Sequence, residues 1–435
     1  MNSRLSLLLV LVLSGWSGLS PACIAQGMPD SRKNPSGQAL TVTLPDALAR
    51  VFERNPEITV SELEIKAASA RVLQAGLKPN PEIALQGENL ATPGVGLGVL
   101  RYTESTLQID QRIELGGKRA SRVRAAQSEA SVAANQLEVK KNELVAETSQ
   151  AFADVLAGQE RLANLKELTR LAKQAYEIVA ERVTAGKVSP VEETRASVEL
   201  ASAQLEENKH ARALVAVKDG LAALWGGTHE DIDSVQGSFD IPAVVSELPE
   251  GCLQTNPDMK LAAAAVDSRN AALGLELANR TPDITVSAGF RRLELEKEEV
   301  WVAGASIPLP LFDRRQGSIT EARTRLDQSR AEQQATAWRL RAAWTQARHA
   351  HEIALLEAKT LTENALPAAR EAAAAIEEGY RLGKFDLLNV LDSQRINAEL
   401  RGKYIEAVAS GLKTAIEIER LTRCDALPAL PKPGK

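Results

Sequence analysis

Residues 107–115, with the sequence LQIDQRIEL, lead through two glycines into a long run of helix-forming residues that begins at Lys118. Apolar and polar side chains alternate along this segment, and Gln111 is the one exception. A period of two gives a β-strand one apolar face and one polar face. The segment therefore predicts a two-faced strand that is joined directly to a helix.

The helical run is much longer than an ordinary helix. No proline occurs between Lys118 and Ala185, and alanine, leucine, glutamate, lysine and glutamine dominate the composition. A second run at residues 315–382 contains one proline, Pro367, which predicts a local kink. Each run would extend about 100 Å as a helix, so neither can be contained in a compact domain of this size.

Both runs end at a glycine–lysine pair, Gly186-Lys187 in the first and Gly383-Lys384 in the second. Glycine after a helix commonly adopts the left-handed conformation that terminates it. A helical pattern resumes a few residues later in each case. The two pairs therefore predict the turns of two antiparallel helical hairpins.

The residues after each turn predict the start of the returning helix. Ser189 is placed as the N-cap, Pro190 occupies the first helical position, and Glu192 completes a capping box. Asp386 is the corresponding cap in the second hairpin.

The same order of features occurs twice. Asn55-Pro56-Glu57 recurs as Asn256-Pro257-Asp258, and each triplet is followed by an alanine-rich helix, strand-like segments, a long helix and a hairpin turn. We predict a signal peptide at 1–25, an N-terminal extension at 26–42, a first repeat at 43–230, a linker at 231–246, a second repeat at 247–424 and a proline-rich tail at 425–435.

The N-terminal segment is typical of a secretory signal. Arg4 precedes an apolar run that is too short for a stable membrane span. Cleavage after Ala25 and lipidation of Cys23 both remain open. Beyond this segment no run of about 18 apolar residues occurs, so a membrane-inserted protein would have to use β-strands.

Composition excludes several classes of function. The chain has 52 Lys and Arg against 57 Asp and Glu, and its net charge of −5 gives no basic surface for nucleic acid. The sequence contains no nucleophile–base motif that would indicate an enzyme, and we predict no cofactor. Cys252 and Cys424 can pair only if the fold brings them together, and otherwise are small buried side chains.

The histidines do not form a recognisable metal site. His349 and His351 are two residues apart and point to different faces of a helix. His210 and His229 lack a neighbouring ligand set. We therefore predict no dedicated metal ligands in this chain.

Four strands are predicted, at about 81–90, 103–115, 282–292 and 299–310. Bacterial membrane barrels need at least about 8 strands, so one chain cannot close a barrel. Either the strands form a small open sheet in a soluble protein, or two or three chains pool them. Pooled strands would place their polar faces around a lumen. Aromatic residues lie near these segments, as at a membrane interface: Tyr102, Phe290, Trp301 and Phe312.

An ordered set of short motifs resembles the TolC family of outer-membrane efflux proteins. The motifs are LPDAL at 44–48 with NPE at 55–57, SIPLPLFD at 306–313, and YRLGK at 380–384 leading to VLD at 390–392. The sequence LGGKR at 115–119 is most similar to the heavy-metal branch, the CzcC-like and CusC-like channels.

The resemblance implies an α+β membrane protein that forms a homotrimer. Four strands per chain would build a twelve-stranded barrel in outer-membrane lipid of a Gram-negative bacterium, and the hairpins would build an α-barrel in the periplasm. A periplasmic adaptor (membrane fusion protein) would join it to an inner-membrane pump of the resistance-nodulation-division type. The chain would conduct heavy-metal cations passively, of the cobalt/zinc/cadmium or copper/silver type. A drug channel is one alternative, and a periplasmic coiled-coil adaptor or scaffold is another.

The resemblance also assigns a periplasmic aperture. Asp392 would form an acidic ring, and Asn389 would lie at a second position of the constriction. Tyr380 and Glu192 would make a contact that holds neighbouring hairpins closed. Each has a simpler interpretation: Asp392 as a solvated helix charge, Tyr380 as a packing aromatic, and Glu192 as a capping residue.

The hairpin tips would contact the adaptor through Gly186, Lys187, Gly383 and Lys384. The simpler interpretation is that these residues only form turns. Lys118 and Arg119 are expected to mark the strand-to-helix junction and not to contact a substrate.

Overall fold

The computed structural model describes residues 41–88, 103–244 and 251–422. The first half contains β1 (Thr41–Thr43), α1 (Leu44–Arg54), α2 (Pro56–Ala75), β2 (Glu82–Glu88), β3 (Glu104–Ile113), α3 (Lys118–Thr184) and α4 (Pro190–Ala223). The second half contains β4 (Ser234–Gln236), α5 (Cys252–Thr255), α6 (Pro257–Asn279), β5 (Ile284–Leu293), β6 (Glu298–Ser306), α7 (Gln316–Thr360), α8 (Leu366–Arg381) and α9 (Leu387–Thr422).

The two halves repeat one order of elements, which confirms the predicted internal duplication and the class of fold. Two helices, two strands and a long helical hairpin follow one another as α1–α2–β2–β3–α3–α4, and again as α5–α6–β5–β6–α7–α8–α9. Helix α3 has 67 residues and extends about 100 Å. The boundaries of the two repeats and of the flanking segments stay predictions.

The repeated Asn-Pro motif has the same structural role in both halves. Asn55 caps α2 by accepting from the Glu57 amide at 2.8 Å, and its Nδ2 donates to Leu224 O at 2.9 Å. Asn256 caps α6 in the same way, and its Nδ2 donates to Leu421 O at 3.0 Å. Each asparagine therefore starts a helix and binds a carbonyl at the end of the returning hairpin helix in its own repeat.

Helix α3 joins the two hairpins along its length. Two buried asparagines of α3 donate to carbonyls of α9: Asn142 to Arg420 O at 3.1 Å and Asn164 to Ala398 O at 3.0 Å. Because a buried amide must keep its hydrogen bond, these contacts fix the register of α3 against α9.

The second long helix is interrupted just before Pro367, where the sequence predicted a local kink. A π-helical turn at Leu361–Ala365 separates α7 from α8, and Pro367 lies in the first turn of α8. Proline lacks a backbone N–H and clashes with the preceding turn, so the chain departs from regular α-helix there.

Two short strands were not predicted. β1, at the boundary between the assigned extension and the first repeat, pairs in parallel with β4, which lies in the assigned linker. Three residues are too few to show a period of two, which is why the pattern gave no signal. The chain entering α1 is thus tied to the segment that follows α4.

Cys252 is buried and disulfide-bonded. Cys23, where cleavage and lipidation were left as alternatives, and Cys424 lie outside the described residues. Among the helices that the structure describes, none combines the length and hydropathy that a membrane crossing requires.

The strand-to-helix junction also ties the two repeats together. Asp283, which precedes β5, accepts from Lys118 Nζ at 2.6 Å and from the Leu115 amide at 3.3 Å. Lys118 is buried in this contact, as expected for a junction residue. Gly116 and Gly117 both have positive φ, +67° and +69°.

We predict that Gly116→Ala destabilises the protein more than Gly117→Ala. Both substitutions strain a left-handed backbone, which costs about 1 kcal/mol. A methyl group at residue 116 would also lie 2.6 Å from the Thr281 side chain, whereas one at residue 117 would meet nothing within 4 Å. The added overlap should cost about 1–3 kcal/mol more. Thermal unfolding of both purified variants checks this, and equal midpoints would contradict it.

Candidate functional site

The four long strands form one antiparallel sheet in the order β2–β3–β5–β6. The register aligns Leu85, Leu107, Phe290 and Trp301 in one row across all four strands. The next row on the same face contains Ile83, Ile109, Ala288 and Ala303. Side chains of the intervening residues point to the opposite face, which is largely polar.

The apolar face of this sheet is exposed, which is unusual in a water-soluble protein. On the apolar face Leu85 is 77% exposed and Trp301 is 88% exposed. On the polar face Thr106 is only 2% exposed, and Gly289 is also buried. A broad apolar face that no element of the described chain covers needs a lipid or protein environment.

The predicted aromatic residues lie at this sheet. Phe290 and Trp301 are direct cross-strand partners, and Phe312 is exposed beyond the end of β6. Tyr102 lies outside the described residues. Strands β2 and β6 are the edges, and each pairs with one neighbour only within the described chain. Unpaired edges cannot remain in lipid, because their backbone groups would have no hydrogen-bond partners.

The opposite end of the structure contains the two hairpin tips. Gly186 and Gly383 have φ of +69° and +71°, as the sequence predicted for helix ends. The amides of Lys187 and Lys384 close the turns by donating to Arg182 O at 2.9 Å and Gly379 O at 2.7 Å. Both lysine side chains are exposed and have no ion pair within the described residues.

The caps after the tips are partly as predicted. Ser189 Oγ accepts from the Val191 amide at 3.3 Å, and α4 begins at Pro190. The predicted capping box is wrong, because the Glu192 carboxylate makes no cap bond within the described chain. Asp386 does cap α9, accepting from the Asn389 amide at 3.0 Å and from Asn389 Nδ2 at 2.5 Å. The Asn389 side chain is therefore held by its own helix cap.

Tyr380 packs across the two hairpins. It lies in an apolar cluster with Val179 of α3 and Leu387 of α9. The guanidinium of Arg182 lies over its ring, 4.7 Å from the ring centroid. This cation–π contact links the tip of the second hairpin to α3 of the first. No local pattern indicates this contact, and the contact of Tyr380 with Glu192 stays a prediction for neighbouring hairpins.

Asp392 is half-exposed on α9 and has a counter-charge that the sequence analysis missed. Arg395 Nη2 donates to Asp392 Oδ1 at 2.5 Å, and Arg395 also lies 3.7 Å from Glu399. The hydrogen bond to Asp392 raises the pKa of Arg395 above its ordinary value. The i,i+3 spacing of these residues could have predicted the pair.

The histidines occupy unrelated places. His351 is buried on α7, with Nδ1 at 3.2 Å from both Gly411 O and Thr414 Oγ1. His349 is exposed on the other side of the helix and lies 3.2 Å from Glu352. In the parts of the chain that the structure describes, no group of three or more His, Cys, Asp or Glu side chains could hold a metal ion.

These features define an outer-membrane channel component: duplicated helical hairpins combined with a sheet whose apolar face is exposed. Residues 47–227 and 248–422 match the outer membrane efflux protein family, and the chain belongs to that family. It is therefore a transport duct of the outer membrane with a periplasmic extension, and not an enzyme.

Individual relatives agree with this assignment. The chain is 31% identical to the cobalt-zinc-cadmium resistance protein CzcC of Cupriavidus metallidurans, over 89% of this chain and 91% of that protein. Its fold is similar to that of CusC, with a TM-score of 0.74, 16% identity, and coverage of 90% of this chain and 95% of that chain. It is also similar to a membrane protein from Pseudomonas aeruginosa, with a TM-score of 0.75, 20% identity, and coverage of 88% and 91%.

Proposed function

We propose that three copies of this chain form the exit duct of a tripartite efflux system for divalent heavy-metal cations. The observation that carries the proposal is the four-stranded sheet, whose apolar face is exposed and whose two edges have no partner strand among the described residues. Three such sheets joined edge to edge give about twelve strands, an even number that leaves a water-filled lumen. The polar face of each sheet would line that lumen.

The helical part also offers surfaces for further copies. Helix α4 exposes Val191, Val198 and Leu205 at intervals of seven residues, each more than half exposed. Helix α7 exposes Ile353 and Leu356 to a similar extent. Apolar stripes at heptad spacing are typical of helices that pack against partner helices. We infer that α4 of one chain packs beside α7 of the next.

Cations are the cargo that the aperture and the relatives support best. Asp392 in three copies would give a ring of carboxylates, which concentrates cations in a narrow pore and repels anions. CzcC, the relative with 31% identity, is named for resistance to cobalt, zinc and cadmium.

The test of this function is ion conduction by the purified protein in a planar bilayer, combined with metal sensitivity of a strain that lacks it. We predict that the protein conducts cations in preference to anions, and that this cation selectivity falls in Asp392→Asn. Arg395→Gln should raise selectivity, because it removes the counter-charge 2.5 Å from Asp392 Oδ1.

The deletion strain should become sensitive to divalent metals and recover with the wild-type gene. A soluble monomer without conductance would contradict the duct, and unchanged metal sensitivity would contradict the cargo.

We further propose that Tyr380 helps hold the aperture closed through its ring and Arg182. Tyr380→Leu should raise the resting conductance about fivefold, because losing roughly 1 kcal/mol shifts a closed–open equilibrium by that factor. Tyr380→Phe keeps the ring and serves as the matched control, with conductance near wild type. If the resting conductance rises in the double variant Tyr380→Phe with Glu192→Ala but not in Arg182→Met, closure depends instead on the Tyr380 hydroxyl and Glu192.

The exposed tips are proposed as the contact with a periplasmic adaptor, which connects to an inner-membrane pump of the resistance-nodulation-division type. Lys187→Glu together with Lys384→Glu should reduce cross-linking to the adaptor severalfold without loss of the trimer, because both lysines lie free at the tips. Lys66→Glu, an exposed lysine on α2, is the control. Undiminished cross-linking would mean that these residues only form turns.

A further inference from the structure

Arg291 is the centre of a charge network on the polar face of the sheet. From β5, its Nε donates to Thr106 Oγ1 of β3 at 3.0 Å. Its Nη1 donates to Glu104 Oε2 of β3 at 2.9 Å and lies 3.8 Å from Glu88 Oε2 of β2. One guanidinium thus spans three strands and faces two carboxylates.

The polar face as a whole is acidic. On the four described strands this face carries five carboxylates, Glu82, Glu88, Glu104, Asp110 and Glu298, and two arginines, Arg112 and Arg291. Arg112 lies near the helical end of the sheet, 3.9 Å from Glu82. At the other end, where the turn between β5 and β6 lies, Arg291 is the one base among the described strand residues of this face.

The next residue, Arg292, provides a natural comparison because it points to the opposite face. Its Nε lies 2.8 Å from Glu294 Oε1 and its Nη1 lies 3.8 Å from Glu299 Oε1. The two arginines therefore have similar ion pairs, each with two carboxylates. They differ in the face of the sheet on which the charge lies.

We propose that Arg291 is a specificity-determining residue of the duct, a luminal counter-charge that limits the cation preference at the end of the barrel distant from the helices. This inference rests on the proposed function, in which the polar face lines the pore. Without Arg291, Glu88 and Glu104 would present uncompensated charge to the lumen. The low-dielectric wall around a pore strengthens such a field, so permeant cations would be held more tightly there.

The test measures two quantities in planar bilayers: the cation-to-anion permeability ratio from reversal potentials, and block by Zn²⁺ added on the barrel side. Arg291→Met should raise the permeability ratio about twofold or more and lower the blocking Zn²⁺ concentration by a similar factor. Arg292→Met, the matched control, should change neither quantity. Arg291→Lys should remain close to wild type, because it keeps the charge.

Charge compensation gives a second test that does not depend on one variant. Arg291→Met combined with Glu104→Gln restores the net charge of the face and should return both quantities toward wild type. Glu104→Gln alone should shift the permeability ratio and the blocking Zn²⁺ concentration in the direction opposite to Arg291→Met. This variant provides the test if Arg291→Met fails to assemble. Conducting Arg291→Met trimers with unchanged selectivity and block, or equal effects in Arg292→Met, would overturn the role of Arg291 and leave the duct intact. Absence of conductance in the wild type would instead overturn the duct, and this inference with it.

Discussion

A sheet with an exposed apolar face and two unpaired edges is stable neither in water nor alone in lipid. Water disfavours the apolar face, and lipid disfavours edge backbone groups that have no hydrogen-bond partner. The sheet β2–β3–β5–β6 has both properties. Joining the edges of several copies removes the conflict, and the polar face then has water on its inner side. The arrangement proposed for the helices and for the pore follows from this one constraint.

The long helices keep one register relative to each other and to the sheet because polar contacts hold them at several positions along their length. At the strand-to-helix junction, Lys118 and Asp283 join the first repeat to the second. Asn55 and Asn256 each close a repeat by binding a carbonyl at the end of its hairpin. Between the hairpins, two buried asparagines of α3 bind carbonyls of α9. Each contact satisfies a buried polar group, so a shift of register would leave that group unpaired.

Each carboxylate that we propose to act on the cargo lies beside an arginine. Asp392 has Arg395 as a neighbour, and Glu104 has Arg291. Pairing of this kind lowers the net field that a cation meets, which favours passage over retention because a conducting site must release its ion. The proposed closure at the tips also involves a pair, since Arg182 lies over the ring of Tyr380. Selectivity and closure would thus depend on balanced contacts that single substitutions can shift.

The duplication was readable from the sequence because the same order of local signals occurs twice. The sequence by itself also determined the elements whose signals are local: the two-faced strands, the long helices, the glycine turns, and the caps at Ser189 and Asp386. These depend on residues within one or two turns of each other, where period and capping chemistry are readable. Only the tertiary structure decided that Asn55 binds Leu224 O, that Tyr380 packs under Arg182, and that Arg291 reaches Glu104. Those pairs are far apart in the chain, and their meeting depends on helix and strand register, which no local pattern records. At Glu192 the local signal was wrong: the Ser189 hydroxyl accepts from the Val191 amide, and the reciprocal bond of a capping box is not formed.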